Sequence, residues 1–459
     1  MADDNTTQCW LFSDLAHRSV LVRFDQERGS SDGGAVLLGA ADRRLGLSEV
    51  LASCVRDGRD PLRVVHEISD LVRQRVYAIA CGYPDGNDAA RLSSDPVHKL
   101  LVGRDPVSEE DLASQPTLSR FENGADRADL FRMGEALAER VIERHRRRRR
   151  GRARVVTIDL DQTDDPAHGQ QQLALFNGYY GEWCYLPLLG FVSFDDEADQ
   201  YLVAAVLRPG NSPDKVGSLG VLSRLLPRLR AAFPKAHFRV RLDAGFAAPE
   251  VFDFLDEQGD VDYAVAIGKN SILLGRAGKH MAQARRLSKA SGETEKVYAE
   301  TFYATKTWPH RRRIIIKAEV TRHPGRDPKD NPRFVVTNMT QTPRWVYEEF
   351  YCRRGEIENR IKELHHGLEI DRTSCSRFLA NQLRVLLTAA AYVLMQELRL
   401  RAARTKLARA QVSTLRDALL KIGARVGTSV RRIVLHMPAS FPFTHAWGTV
   451  AHSLGASSG

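Results

Sequence analysis

Val155-Val156-Thr157-Ile158-Asp159-Leu160-Asp161-Gln162-Thr163 is an apolar, β-branched run interrupted by two aspartates. Val, Ile and Thr suit a pleated, half-buried strand. Side chains alternate along a strand, so Asp159 and Asp161 share one face. Asp161 stands at the strand exit with the small polar Thr163 behind it, and it is preferred over its rival Asp159 as the reactive group.

Downstream, two further strand patterns, 188–194 and 201–207, are joined by the acidic turn Asp195-Asp196-Glu197. Next come an amphipathic helix over 216–229, a strand over 238–242, a helix over 249–257 opened by Pro249 and a strand over 263–267. The order β-β-β-α-β-α-β predicts an α/β fold with a ribonuclease-H-like mixed sheet, three antiparallel strands and then parallel ones reached through helices. From 270 to 341 the pattern breaks into a polar, basic run and strand-like pieces separated by Pro324, Gly325 and Pro332, read as a small β-rich insertion. A long helix is expected over 344–369 and a very apolar one over 378–400.

Upstream, residues 1–144 read as mostly helical, with helical patterns at 47–55, 62–77 and 130–144 after a strand-like 19–24. Seven of the ten residues from His145 to Arg154 are Arg. Such a block repels itself and marks a boundary, either as a solvated linker or as a clamp on DNA phosphates. The division expected is a helical N-terminal domain binding DNA ends (1–144), a basic linker (145–154), the catalytic core in two parts (155–270 and 342–400), the insertion between them (271–341), and basic C-terminal helices with a loosely ordered tail (401–459).

The chain has 459 residues, 43% hydrophobic and 27% charged, as in a globular protein of more than one domain. Its net charge is +10, unevenly placed. Residues 1–140 hold 17 Lys and Arg against 24 Asp and Glu, a net of −7, so the remainder carries +17. That excess calls for a polyanionic partner. The six cysteines are scattered with no CxxC pair, which suits free thiols in a reducing, cytoplasmic setting. Met1-Ala2-Asp3-Asp4-Asn5 is unlike a signal or transit peptide. The uncharged stretch 385–396 is too short for a bilayer span of ~20 residues and reads as a buried helix. Neither a membrane nor a small-molecule substrate is expected as a partner.

Three acids fall where this fold would gather them: Asp161 ending the first strand, Asp243 ending the fourth in Arg241-Leu242-Asp243-Ala244-Gly245-Phe246, and Glu358 on the helix after the insertion. Carboxylates gathered at one edge need a cation, and Mg²⁺ takes hard oxygen ligands while keeping room for water and phosphate oxygens. Two such ions, with Mn²⁺ as a substitute, would activate a water and stabilise a leaving 3′ oxygen. At ~100° per residue, Tyr351, Arg354, Glu358 and His365 share one helical stripe with Lys362 beside it, while Phe350, Ile357, Ile361, Leu364 and Leu368 form a second stripe for the core.

Tyr351-x2-Arg354-x3-Glu358 resembles the Y-x2-R-x3-E-x6-K signature of DDE transposases from bacterial insertion sequences, with His365 in place of the final Lys. Residues 159–171, 241–246 and 351–364, and in the N-terminal part 114–123, resemble insertion-sequence group thirteen-eighty. The resemblance spans roughly residues 20–400. It implies cut-and-paste transposition of double-stranded DNA between terminal inverted repeats and a target, by a homodimer holding both ends. It maps the metal-binding acids onto Asp161, Asp243 and Glu358, and phosphate contacts onto Tyr351 and Arg354, with Lys362 and His365 near the departing position. It also implies an aromatic stacker for a flipped base, for which Trp308 in the insertion is the candidate. Residues 112–123, with Arg120, are the candidate recognition helix of a helix-turn-helix reading the inverted repeat. Two other readings fit the same residues: a metal-dependent nuclease on this fold without strand transfer, and a DNA-binding protein whose cutting has decayed.

Overall fold

Strands form where β-branched and aromatic residues run together, and pairing between them builds one large sheet. The computed structural model describes residues 9–13, 17–107, 110–213 and 215–457; the acidic start, residues 1–5, lies outside them. Eight strands carry the central sheet: β1 (Val155–Gln162), β2 (Leu188–Phe194), β3 (Tyr201–Val206), β4 (His237–Leu242), β5 (Val261–Ile267), β6 (Glu295–Tyr303), β7 (Arg312–Thr321) and β8 (Arg333–Thr337). Five helices bear on the site: α1 (Arg127–Arg149), α2 (Ser218–Ala232), α3 (Pro249–Glu257), α4 (Ser271–Ser291) and α5 (Phe378–Arg401).

The strand order is β6-β7-β8-β5-β4-β1-β2-β3, with a two-residue strand, Lys329–Asp330, pairing β7. β1 pairs antiparallel with β2, and β2 with β3. β1 and β4 are parallel, as are β4 and β5. This is the mixed sheet expected from the sequence: α2 and α3 are the crossovers that parallel neighbours require.

The region after β5 differs from expectation. It opens with a 21-residue helix, α4, where the sequence pattern shows only a polar, basic run. Its buried positions, Leu273, Ala277, Met281, Ala284 and Ser288, are mostly small, so the amphipathic pattern is faint. β6, β7 and β8 do not form a separate small sheet. β8 pairs antiparallel with β5 and β7, so the insertion lengthens the central sheet. Along β7, Ile314 and Ile316 belong to the main core with α4, while Ile315 packs with Val346, Tyr347 and Phe350. Alternation therefore places α4 and the helical turn 345–350 on opposite faces.

The arginine block is not a linker. α1 continues through Arg149, so the chain reaches β1 as a rigid rod. Its charges are met by acids: Arg146 and Arg147 pair with Glu143, Arg148 holds Glu197 at 2.7 Å, and Arg149 pairs with Asp195 and Glu197. The acidic turn between β2 and β3 thus holds Arg148 and Arg149, which a linear reading of charge cannot show.

α5 is the apolar helix, with an unbroken buried run from Val385 to Arg399. It also closes the β3 edge. Gln382 accepts from Leu207 N at 2.6 Å, and Gln396 donates to the Gln200 carbonyl at 2.7 Å. An open edge would otherwise offer its backbone to other chains. The N-terminal helices share the main core with the sheet. A buried triad fastens them: Glu122 accepts from Arg75 at 2.9 Å and from Arg384 of α5 at 2.9 Å.

The C-terminal part differs too. In place of a basic helix over 399–432, a short helix (Val412–Leu419) precedes a hairpin, Ala424–Ser429 with Arg432–His436. The tail expected to be loose holds a helix, Thr444–Ser453. The hairpin pairs with Gly29–Ser30, binding the two ends of the chain together. Gly34 sits in that seam, donating to the Leu420 carbonyl, and a Cβ there would lie 1.9 Å from the Leu419 carbonyl oxygen. Forcing atoms into such a contact costs typically about 1–3 kcal/mol. Gly34→Ala is therefore expected to lower the midpoint of thermal unfolding measurably, whereas Gly58→Ala, in open space, should not.

Candidate active site

Register decides the centre of the site. Arg241 on β4 lies opposite Asp159 on β1, so Asp243, two residues on, projects beside Asp161 at the carboxyl edge of the parallel strands. The two aspartates of β1 then part company. Asp159 is 1% exposed, and both its oxygens are held by Arg241, Nε and Nη2 each at 2.7 Å. Arg241 also donates to the Phe350 carbonyl at 3.1 Å. Asp159 is committed to structure.

Asp161 is differently placed. Its Oδ1 accepts from Gln162 N at 3.0 Å and lies 2.7 Å from Arg354 Nη2. Arg354 Nη2 also stands 3.6 Å from Asp243 Oδ2. Burial pushes the Asp161 carboxyl up to about 6; Arg354 opposes this, and the charges of Asp243 and Glu358 add to it. Asp243 Oδ1 caps the turn after β4 by accepting from Gly245 N at 3.0 Å. Glu358 is exposed on the turn Glu356–Lys362, close enough for its charge to act on Asp161.

The helix that brings these groups in is not uniform. Trp345–Phe350 and Glu363–Gly367 are π-helical, Tyr351–Gly355 is a 3₁₀ turn, and only Glu356–Lys362 is α-helical. Residues three apart eclipse one another in a 3₁₀ turn, which lines Tyr351 up with Arg354 more closely than an α-helix would. Burial raises the Tyr351 hydroxyl pKa, Arg354 opposes the rise, and Asp243 adds to it. Arg354 Nε is buried and makes no hydrogen bond with any described group.

His365 joins the edge from the second π turn. Its Nε2 shares a 2.7 Å hydrogen bond with Thr163 Oγ1, and its Nδ1 lies 3.2 Å from Asp371 Oδ2. Burial raises the Asp371 pKa, but the hydrogen bond and charge of His365, a backbone hydrogen bond and His366 together outweigh it, and the net shift is downward. His365 thus orients the strand exit. Lys362 is exposed, and among the described residues no ion pair joins it to the acids. Sequence reasoning missed Arg241 and Asp371. Arg241 had a signal, since a cation two residues before Asp243 on the same strand face must meet whatever β1 presents there.

Two singled-out residues lie outside this group. Trp308 packs edge-on against Phe252 and Tyr303, with Arg312 over its ring at 5.1 Å. In this structure its ring packs the insertion against α3. Arg120 is on the helix Gln115–Gly124 and lines a groove of about 810 Å³ with Arg56, Arg59 and Arg63.

Fold and site together define a mixed α/β protein that collects carboxylates from two parallel strands and a following helix at one sheet edge. The chain belongs to the family described as "Transposase DDE domain group 1", whose model matches residues 12–458. Among solved structures it is similar to a piggyBac transposase in a synaptic complex with hairpin DNA, with 10% identity, a TM-score of 0.40, and coverage of 80% of this chain and 75% of that one. No curated protein matches it.

The Asp159–Arg241 pair is testable by itself. Arg241→Met leaves a buried, unpaired carboxylate and is expected to cost about 3–5 kcal/mol in urea unfolding. The double change Asp159→Leu with Arg241→Met should recover much of that loss; equal losses in both variants would show the pair to be unimportant.

Proposed function

We propose that this chain is a cut-and-paste DNA transposase of insertion-sequence group thirteen-eighty, working on a ribonuclease-H-like core. The supporting observation is the meeting of Asp161, Asp243 and Arg354 at one edge, with Glu358 acting on the same buried carboxyl. Family membership supports DNA as the substrate. Terminal inverted repeats, a target duplex and a dimer holding two ends are part of this reading.

The donor set fits divalent ions. Three carboxylates supply only hard oxygens; burial raises the Asp161 pKa, the charges of Asp243 and Glu358 add to the rise, and a single guanidinium, Arg354, opposes it. Asp161, Asp243 and Glu358 would hold Mg²⁺. When bound, two such ions supply an activated water and charge stabilisation for the leaving 3′ oxygen. The protein's own groups do the positioning. Arg354, with Nε still unpaired, has a donor left for a non-bridging phosphate oxygen, and a guanidinium suits that planar contact. Tyr351 lies on the same line and brackets the phosphate. Thr163 and His365 hold the strand exit that aims Asp161.

Asp243→Ala and Glu358→Gln are each expected to abolish Mg²⁺-dependent cleavage of inverted-repeat DNA while binding survives; normal cutting by either would refute the assignment. Strand transfer of pre-cut ends to target DNA separates a transposase from a plain nuclease. Asp161→Asn removes one of the crowded charges. It should melt above the wild type in metal-free buffer, and Mg²⁺ should raise the melting temperature of the wild type alone.

A further inference from the structure

Two cationic helical segments are treated differently by the structure. The arginines that end α1, Arg146 to Arg149, are answered by Glu143, Asp195 and Glu197. α4 is not. Its 21 residues include five Lys and Arg and no Asp or Glu. Two of the five are tied to the fold: Arg285 pairs with Asp330, and Arg276 lies over the Tyr303 ring and donates to Thr301. Lys279, Arg286 and Lys289 are exposed, and among the described residues no carboxylate pairs with them.

Their direction is set by the buried stripe. At about 100° per residue, Lys279 and Arg286 point directly away from Leu273, Ala277, Met281, Ala284 and Ser288, and Lys289 flanks them. The three cations span about 15 Å of helix. Their position relative to the acids matters equally. β5 is parallel to β4, which is parallel to β1, so all three strands end at the edge where Asp161 and Asp243 sit. α4 begins at Ser271, just after β5 ends at Ile267, and runs in the direction of β5: Arg276 near its start meets Thr301 at the end of β6, and Arg285 further on meets Asp330, which pairs with Val320 beyond the level of Ile267. The cationic face of α4 therefore extends outward from the edge that carries the acids.

We propose that the outer face of α4, through Lys279, Arg286 and Lys289, is a sequence-independent binding site for the phosphate backbone of duplex DNA. The inference rests on the transposase reading and goes beyond it by assigning the backbone-binding surface. Fifteen ångströms of duplex axis offers about nine phosphates, ample for three contacts. Unpaired cations that face solvent release condensed counterions when they meet phosphate; cations already paired with carboxylates gain little.

The test measures binding of a fluorescent duplex of unrelated sequence to the full chain without divalent ions, from about 50 to 200 mM salt. The triple variant Lys279→Gln, Arg286→Gln, Lys289→Gln should bind more weakly, and its slope of log affinity against log salt should be shallower by about 3. Arg285→Gln, and Arg148→Gln with Arg149→Gln at the end of α1, whose charges are met by Glu197 and Asp195, should leave the slope unchanged. Unaltered slope and affinity in the triple variant would overturn the proposal, as would an equal loss per charge in the control variants. Because no metal is present, Asp161→Asn should bind with the wild-type slope. A failure at α4 is thereby separated from a failure of the catalytic reading.

Discussion

One guanidinium ties together the three elements that carry the acids. Arg241 grips Asp159 on β1 from its own place on β4, and its remaining Nη1 holds the Phe350 carbonyl, where the helical segment bearing Tyr351, Arg354 and Glu358 turns from π to 3₁₀ geometry. Buried below the edge, this fork sets the relative height of both strands and of the helix. Bidentate geometry specifies orientation as well as distance, which a Lys in the same place could not do. Two residues further along each strand, Asp161 and Asp243 inherit that alignment.

The layer above shows what the alignment achieves. The lower carboxylate is neutralised by a bidentate partner, while the upper ones share a single guanidinium through two contacts of 2.7 and 3.6 Å. The lower pair is a structural joint; the upper group retains unspent negative charge and a raised pKa, a combination that structure alone does not require. The irregular helix belongs to the same design. Two π turns and a 3₁₀ turn are less favourable than a plain α-helix, yet they bring Tyr351, Arg354 and His365 to one edge while Val346, Phe350, Ile357 and Leu364 stay buried.

Charge placement repeats the pattern at larger scale. Seven arginines in ten residues look like the strongest signal for a polyanion, yet those nearest the sheet are absorbed by an acidic turn some 50 residues later in sequence. On α4, Lys279, Arg286 and Lys289 stay unmatched among the described residues. Local charge density therefore says little until the folded partners are known.

The sequence by itself determined the strand order, the candidate acids at the two strand ends and the buried character of α5, because these depend on side-chain alternation, apolar runs and turn residues, all local properties. It also carried the resemblance to transposases on which family membership agrees. Tertiary structure alone decided between Asp159 and Asp161, which one strand presents on the same face and only the partner strand's Arg241 separates. It likewise gave Trp308 a packing place, merged β6, β7 and β8 into the central sheet, and turned an expected linker into a helix. Each of these depends on contacts between residues distant in sequence, and periodicity along a single chain does not encode which distant group will lie opposite.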